Sequence, residues 1–246
     1  MGTKRYKMKT VQLFSAGMDS YIINRMIKPD VLLFIDNRSR YIKQERQFLE
    51  SVGYSNLVIL DNAIDHSQLE RDSANIPLRN LYFILFAANY GDRIILGSTL
   101  GDRAIDTQAE FMEKATQLLN YGLLEDGREI VVEAPFKHLT KSDYFRKLIE
   151  LNQGEYERSV EEIFNRSISC YHPKEMSPCG LCKPCLRKYL AILEVTGIDT
   201  SKYFASSPYE FFSKKENTEQ FIKKELERFR DRESQENINL LIKMFL

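Results

Sequence analysis

The sequence lacks any run of about 18 consecutive apolar residues, the length that a membrane-spanning helix requires. It also lacks the apolar core of a signal peptide, because its first ten residues, MGTKRYKMKT, are charged. A myristoylation signal is missing too, since Tyr6 stands where that motif needs Ser or Thr after Gly2. These absences predict a soluble, cytoplasmic protein without a membrane partner.

The chain also has no formal net charge at pH 7. Lys plus Arg and Asp plus Glu number 35 each, so no overall field draws the chain toward nucleic acid or anionic lipid. This balance argues against a nucleic-acid partner without excluding a local basic groove. With 246 residues, of which 43% are hydrophobic, the chain is long enough to bury a core and fold on its own.

Short apolar runs alternate with segments of helical periodicity. The apolar runs are residues 11–14, 30–36, 56–60, 93–97 and 129–135, and helical spacing occurs at 21–27, 41–52, 78–90 and 111–121. This alternation predicts an α/β fold, with a parallel sheet covered by helices on both faces. Thr140 and Asp143 have the spacing of a capping box and indicate the start of a further helix.

The stretch VQLFSAGMDSYII, residues 11–23, leads from an apolar strand through small and polar residues into a helix. A helix N-terminus attracts anions, and small residues let phosphate oxygens approach the backbone there. We expect Gly17 to supply a positive φ in this loop. A Walker-type loop is excluded because GxxxxGK[ST] is absent. The alternative is an ordinary strand-to-helix turn with Asp19 or Ser20 as the cap.

All four cysteines occur in CYHPKEMSPCGLCKPC, as Cys170, Cys179, Cys182 and Cys185. Four thiolates complete a tetrahedral Zn²⁺ shell at about 2.3 Å, and Gly180 relieves the tight turn between ligands. The alternatives are free thiols, disulfides, which a reducing cytosol disfavours, and an iron–sulfur cluster. In ferredoxins the fourth cysteine follows the close-spaced three, whereas here it precedes them. The spacing favours structural zinc.

Several motifs together resemble one known family. SAGMDS (15–20) is similar to the SGGxDS loop of the ATP pyrophosphatases, the PP-loop enzymes, with Ala16 replacing the first glycine. IPLRN (76–80) resembles V-P-x-R-N, and EAPFKHLTKSD (133–143) resembles E-A-P-L-x-x-x-T-K-x-[ED]. Residues 166–188 resemble [ST]-x-S-C-Y-x-G-x-x-x-x-C-G-x-C-x-x-C-x-x-R. In combination, over about residues 10–195, they resemble the 7-cyano-7-deazaguanine synthase (QueC) family.

This resemblance implies a Rossmann-like fold of the adenine nucleotide hydrolase type and a homodimer. The implied regions are a PP-loop ATP-binding α/β domain (1–165), a zinc-binding segment with its helix (166–196) and a charged helical appendage (197–246). The implied reaction converts 7-carboxy-7-deazaguanine and ammonia into a nitrile. ATP adenylates the carboxylate oxygen, ammonia displaces AMP to give the amide, and a second adenylation lets AMP leave as the nitrile forms.

The same resemblance implies roles for individual residues. The ATP-binding set, with Mg²⁺ neutralising the leaving pyrophosphate, is Ser15, Ala16, Gly17, Met18, Asp19 and Ser20. The resemblance implies catalytic roles for Asp19, Arg79 and Lys141, and it implies that Arg79 and Asn80 contact the substrate. Asp36 and Asp102 follow the second and fourth strands at the edge where parallel sheets bind ligands, so we add Asp36 to the ATP site and Asp102 to the substrate site.

Arg79, Asn80 and Lys141 each have a purely structural alternative, which their residue types favour when the family resemblance is set aside. These alternatives are an ion pair for Arg79, a helix cap for Asn80 and a solvated first-turn lysine for Lys141.

Two loops depart from the family pattern. DNRSRY (36–41) stands where the family has D-Y-G-Q-R-H, and the short GDRAIDTQAEF (101–111) replaces a longer loop with S-G-Y-P-D-C-R. Both lie on the ligand side of the predicted sheet. Three alternative functions therefore stay open: a divergent relative that activates another carboxylate or amide, including one that joins a deazaguanine-type base to a macromolecule; an enzyme that adenylates a tRNA base; and a non-enzymatic zinc-containing binding module.

Overall fold

The five apolar runs form the five strands of one parallel sheet in a computed structural model of the chain. The strands are β1 (Thr10–Leu13), β2 (Val31–Ile35), β3 (Leu57–Leu60), β4 (Arg93–Ile95) and β5 (Val131–Glu133), in the order β3-β2-β1-β4-β5. Val11 pairs with Val31 on one side and with Ile94 on the other. Strands β2 and β3 thus lie on one side of β1, and β4 and β5 lie on the other. This change in strand order leaves a crevice at the carboxyl ends of β1 and β4.

The structure describes residues 8–39, 42–71, 76–100, 102, 104–173, 177–211, 227 and 235–245. Its helices are α1 (Met18–Ile27), α2 (Ile42–Val52), α3 (Arg79–Ala87), α4 (Ala109–Gly122), α5 (Lys141–Leu151), α6 (Tyr156–Arg166), α7 (Lys183–Thr196) and α8 (Gln235–Phe245). Short 3₁₀ turns cover Ile105–Thr107, Ser201–Tyr203 and Pro208–Phe211. None of the described helices is both long enough and apolar enough to cross a membrane.

Alternate side chains of β2 are buried on opposite faces of the sheet, in two different hydrophobic clusters, as expected for a strand covered on both faces. Leu32 and Phe34 pack with α2, α7 and the four cysteines, whereas Leu33 and Ile35 pack with α3 and α4. A third cluster joins α1, α5, α6 and α7 and includes the fully buried Tyr144. The predicted α/β architecture with helices on both faces is confirmed.

Two sequence signals for helices also agree with the structure. Thr140 and Asp143 form the expected capping box at the start of α5, each side chain bonding the backbone N–H of the other. Of the charged tail, residues 212–226, 228–234 and 246 lie outside the described part of the chain. The described helix α8 packs on α7, and the Asn237 amide donates to Ser142 Oγ at 3.0 Å.

Candidate active site

A cavity of about 280 Å³ opens at the carboxyl ends of β1, β2 and β4. It lies at the edge where an open parallel sheet binds its ligands. The lining of the cavity includes these predicted site residues: Ser15, Gly17, Met18, Asp19, Ser20, Arg79 and Asn80. Its volume is close to the lower end of the range typical of small-molecule sites.

The loop between β1 and α1 takes a conformation different from the one expected. Ala16, not Gly17, has the positive φ, at +48°, whereas Gly17 is extended with φ −69°. The expectation for Gly17 was therefore wrong. The loop needs its left-handed residue one position earlier, and Ala16 occupies that position although its Cβ disfavours it.

Asp19 and Ser20 do not cap α1, so the interpretation of the loop as a side-chain-capped turn is wrong. Gly17 is the N-cap and makes no side-chain cap bond. Ser20 instead stabilises the loop from inside: its Oγ accepts from the Ser15 N–H at 3.2 Å, and its carbonyl accepts from Gln12 Nε2 at 2.7 Å. These bonds hold the start of α1 against β1.

Asp19 and Lys141 form an ion pair that connects α1 to α5. Lys141 Nζ lies 2.5 Å from Asp19 Oδ2, and Lys141 is only 8% exposed. Lys141 is therefore not the solvated lysine of the structural alternative. The buried Oδ1 of Asp19 has no hydrogen-bond partner in the described part of the chain. A hard cation such as Mg²⁺ prefers carboxylate oxygens of this kind, so the residue fits the expected metal–nucleotide complex.

Arg79 and Asn80 begin α3 at the rim of the cavity. Leu78, in a left-handed conformation, is the N-cap, so Asn80 is not the cap. The Asn80 N–H donates to Asp106 Oδ2 and its Nδ2 to the Asp106 carbonyl. Arg79 lines the cavity, and its positive charge acts on the carboxyl group of Glu45 and on the imidazole of His66. A guanidinium in this position can bind an anionic ligand.

Asp36 and Asp102 lie outside the lining of the cavity. Asp36 Oδ1 accepts from the Arg38 N–H at 2.9 Å, and its Oδ2 lies 3.8 Å from Arg46. Asp102 Oδ2 accepts from the Thr99 N–H at 2.8 Å. Both carboxylates stabilise local turns in this structure.

The four cysteines form a compact, buried cluster beneath the same end of the sheet. The sulfur atoms of Cys170, Cys179, Cys182 and Cys185 all lie within 4.8 Å of one another. The N–H groups of residues 172 and 179 donate to Cys170 Sγ, and that of Leu181 donates to Cys179 Sγ. Such bonds stabilise thiolates, and four thiolates at this separation fit a tetrahedral metal ion.

Gly180 turns the chain between two of these ligands. Its φ is +79°, and a Cβ at this position would overlap the carbonyl oxygen of Ser206. The Ser206 N–H in turn donates to the Cys179 carbonyl at 3.2 Å. The expected role of this glycine in the tight turn is confirmed.

With this geometry established, comparison with known proteins identifies the family. The family model described as "Queuosine biosynthesis protein QueC" matches residues 36–196, which is more than half of the chain. The chain belongs to the QueC family. The resemblance deduced from the motifs is therefore confirmed.

Several curated relatives are named 7-cyano-7-deazaguanine synthase. The chain is 28% identical to the one from Desulfotalea psychrophila over 56% of this chain and 60% of the relative. It is 25% identical to that of Clostridium kluyveri over 79% and 97%, respectively. It is 30% identical to that of Pyrococcus horikoshii over 63% and 64%. The first and third alignments span less than two thirds of the relative's length.

The lining of this QueC-family cavity includes residues that were not predicted as site residues, among them Glu45, Ser169 and Tyr171. Glu45 lies on the first turn of α2. Its position shortly after β2 was the only sequence feature that could have marked it as a site residue. Ser169 belongs to a quoted family motif, and Tyr171 follows the first cysteine. Tertiary packing, which the sequence pattern does not reveal, turns these side chains toward the cavity.

Glu45 has an unusual electrostatic environment. Burial raises the pKa of its carboxyl group to about 7, and the positive charge of Arg79 only partly opposes this effect. The cavity thus contains an acid that titrates near neutrality together with a permanent cation. These two groups give the site hydrogen-bonding and charge features suited to a polar, anionic small molecule.

Proposed function

We propose that this protein is an ATP-dependent 7-cyano-7-deazaguanine synthase. In the proposed reaction, 7-carboxy-7-deazaguanine and ammonia become the nitrile, and two ATP become two AMP and two pyrophosphates. The observation that carries the proposal is that the phosphate-loop residues and Arg79 line one cavity in a member of the QueC family. The names of the relatives support the choice of substrate.

The loop from Ser15 to Ser20 is proposed to bind the phosphates of ATP. The backbone N–H groups at the start of α1 and the positive end of its dipole favour an anion. The Ser15 and Ser20 hydroxyls add polar contacts, and the absence of a side chain at Gly17 leaves room for phosphate oxygens. In this proposal Ala16 shapes the loop and Met18 contributes only its backbone.

Asp19 is proposed to bind the nucleotide through Mg²⁺, which neutralises charge on the leaving pyrophosphate when it is bound. Oδ1 of Asp19, which has no hydrogen-bond partner among the residues that the structure describes, supports this role. Lys141 orients the Asp19 carboxylate before the ligand arrives, and we propose that its ammonium group contacts a phosphate afterwards. The pair thus contributes preorganised charge rather than a nucleophile.

Arg79 is proposed to bind the carboxylate of the acid substrate and to stabilise negative charge during acyl transfer. Its position at the start of α3, facing the cavity, supports this role. Asn80 is proposed as a second substrate contact, held in place by its bonds to Asp106. Roles for Asp36 in ATP binding and Asp102 in substrate binding require their side chains to leave the turns described above.

The cysteine cluster is proposed to hold one structural Zn²⁺. All four sulfurs come from the protein and the cluster is buried, so a bound ion has no coordination position open to substrate. We propose in addition that the protein acts as a homodimer, as implied by its family.

Pyrophosphate release by the zinc-loaded protein, given Mg-ATP, ammonia and 7-carboxy-7-deazaguanine, tests this function when it is combined with mass spectrometry of the product. The proposal predicts release that depends on the acid and a product with the mass of the nitrile. Release that requires added RNA would instead favour an enzyme that modifies tRNA. Nucleotide binding with an unchanged acid would indicate another acceptor, and failure to bind ATP would refute the enzymatic proposal.

A further inference from the structure

The residues that lead into the cysteine cluster also contact the phosphate loop. The Ile168 N–H donates to the Ala16 carbonyl at 2.8 Å, and the Met18 N–H donates to Ser169 Oγ at 3.0 Å. These bonds fall on the residue before Gly17 and on the residue after it. A segment 151 residues away in the sequence therefore bonds to both ends of the turn that begins α1.

Residues 167–170, which we call the strap, are anchored at both ends. At one end, the buried Lys188 Nζ donates to the Ser167 carbonyl and Oγ, each at 3.2 Å, and to the Ile163 carbonyl at 3.1 Å. At the other end the strap finishes in Cys170, the first residue of the cysteine cluster, and Cys185 Sγ lies 3.7 Å from the Ser169 carbonyl. The strap is thus continuous with the cluster.

The phosphate loop needs such external support because of its own sequence. Ala16 has φ +48° and is fully buried, a conformation that a residue with a Cβ adopts only when its surroundings impose it. The bond from Ile168 to the Ala16 carbonyl is one such constraint. The bond from Met18 to Ser169 satisfies an N–H that has no partner within α1.

We propose that the strap couples the cysteine cluster to the phosphate loop, with Ser169 as the positioning residue. In this view, a metal ion held by the cysteines fixes the strap, and the strap fixes Ala16 and Met18 in the conformation that binds phosphate. Ser169 also lines the cavity, and a hydroxyl that accepts from Met18 still has its own proton to donate to a ligand oxygen.

Coupling of this kind is reciprocal. If zinc increases the affinity of the loop for nucleotide by some factor, nucleotide must increase the affinity of the cluster for zinc by the same factor. The predicted effect of the strap on nucleotide affinity rests on the proposed use of ATP. The effect of the strap on the conformation of the phosphate loop can be measured without any nucleotide.

Hydrogen exchange of the Met18 amide in the zinc-loaded protein tests the positioning role. Ser169→Ala removes the acceptor, and Ser169→Thr retains a hydroxyl. Ser206→Ala is the matched control, because Ser206 contacts the cysteine turn through its backbone. We expect exchange at Met18 to be roughly tenfold faster in Ser169→Ala and close to wild type in the other two variants, with amides of β2 unchanged in all three.

Zinc transfer to a chelator and binding of a non-hydrolysable ATP analogue then test the coupling. We expect the analogue to slow zinc loss from the wild type, and Ser169→Ala to weaken analogue binding about fivefold or more and to abolish the slowing. Unchanged exchange at Met18 in Ser169→Ala would overturn the positioning role. Equal analogue affinity with and without zinc would overturn the coupling. Faster exchange in a protein that binds no nucleotide would support the positioning role and refute the proposed use of ATP.

Discussion

Lys141 Nζ lies 2.5 Å from Asp19 Oδ2, and this ion pair connects the first turn of α5 to the first turn of α1. Lys141 is the first residue of α5, whereas Asp19 lies at the start of α1 and lines the cavity. The pair provides balanced charge at the place where a metal–nucleotide complex is proposed to bind.

Asp19→Asn should reduce pyrophosphate release at least about 100-fold while the protein stays folded. The substitution keeps the size of the side chain but removes the charge that pairs with Lys141 and that is proposed to bind Mg²⁺. Release is measured at saturating Mg-ATP. Lys114→Ala is the matched control, because Lys114 pairs with Glu110 on the exposed surface of α4, and its activity should match the wild type. Near-normal activity of Asp19→Asn would remove Asp19 from the catalytic set.

Ala16→Val should destabilise the fold by several kcal/mol, and Ala16→Gly should change the free energy of unfolding by no more than about 1 kcal/mol. A β-branched residue fits poorly at φ +48° in a fully buried position, whereas glycine adopts this conformation readily and loses only one methyl group. Urea denaturation of the two variants gives the comparison. Equal stability of both variants would contradict the left-handed conformation of Ala16.

Gly180→Ala should lower stability by at least about 2 kcal/mol and weaken zinc retention. The added Cβ overlaps the Ser206 carbonyl and disfavours the positive φ that turns the chain between Cys179 and Cys182. Gly122→Ala is the control, since a Cβ there meets no atom within 4 Å. Zinc content per chain and the denaturation midpoint are the measurements. A Gly180→Ala protein that keeps its full zinc content and stability would contradict the described turn.

Much of the site was predictable because it depends on local patterns. The strand, the small residues from Ser15 to Gly17 and the start of α1 are consecutive in sequence, and cysteine spacing alone indicates a metal cluster. The remainder depends on long-range packing. The partners in the Lys141–Asp19 bond are 122 residues apart, and no periodicity records that they meet.

The position of the left-handed residue could not be deduced for a different reason. Glycine has the lower cost in that conformation, so Gly17 was the natural choice, yet tertiary contacts from Ile168 impose it on Ala16. Similarly, nothing in the local sequence of α2 distinguishes Glu45 from the charged residues beside it. Only the folded structure shows that this acid lines the same cavity as Arg79.

Glu45→Gln should remove the decrease in the free energy of unfolding that ionisation of Glu45 causes between about pH 4.5 and about pH 7. The carboxyl group titrates at about 7 in the folded protein and near its ordinary value of 4.5 when unfolded. Between these values the folded state binds more protons, so wild-type stability contributed by this group falls as pH rises from about 4.5 to about 7. The amide does not titrate, and the stability of Glu45→Gln relative to wild type should therefore rise over that range. Urea denaturation at a series of pH values measures it, and parallel curves would contradict the raised pKa.

The most direct test of the proposed function follows the oxygen atoms of the substrate. With 7-carboxy-7-deazaguanine carrying ¹⁸O in both carboxylate positions, adenylation of the acid and then of the amide should transfer one heavy oxygen to each of two AMP molecules per nitrile. Mass spectrometry of AMP measures this transfer, and the account predicts singly labelled AMP equal to twice the nitrile formed. Unlabelled AMP, or labelled product that retains its oxygens, would contradict activation of this acid by adenylation.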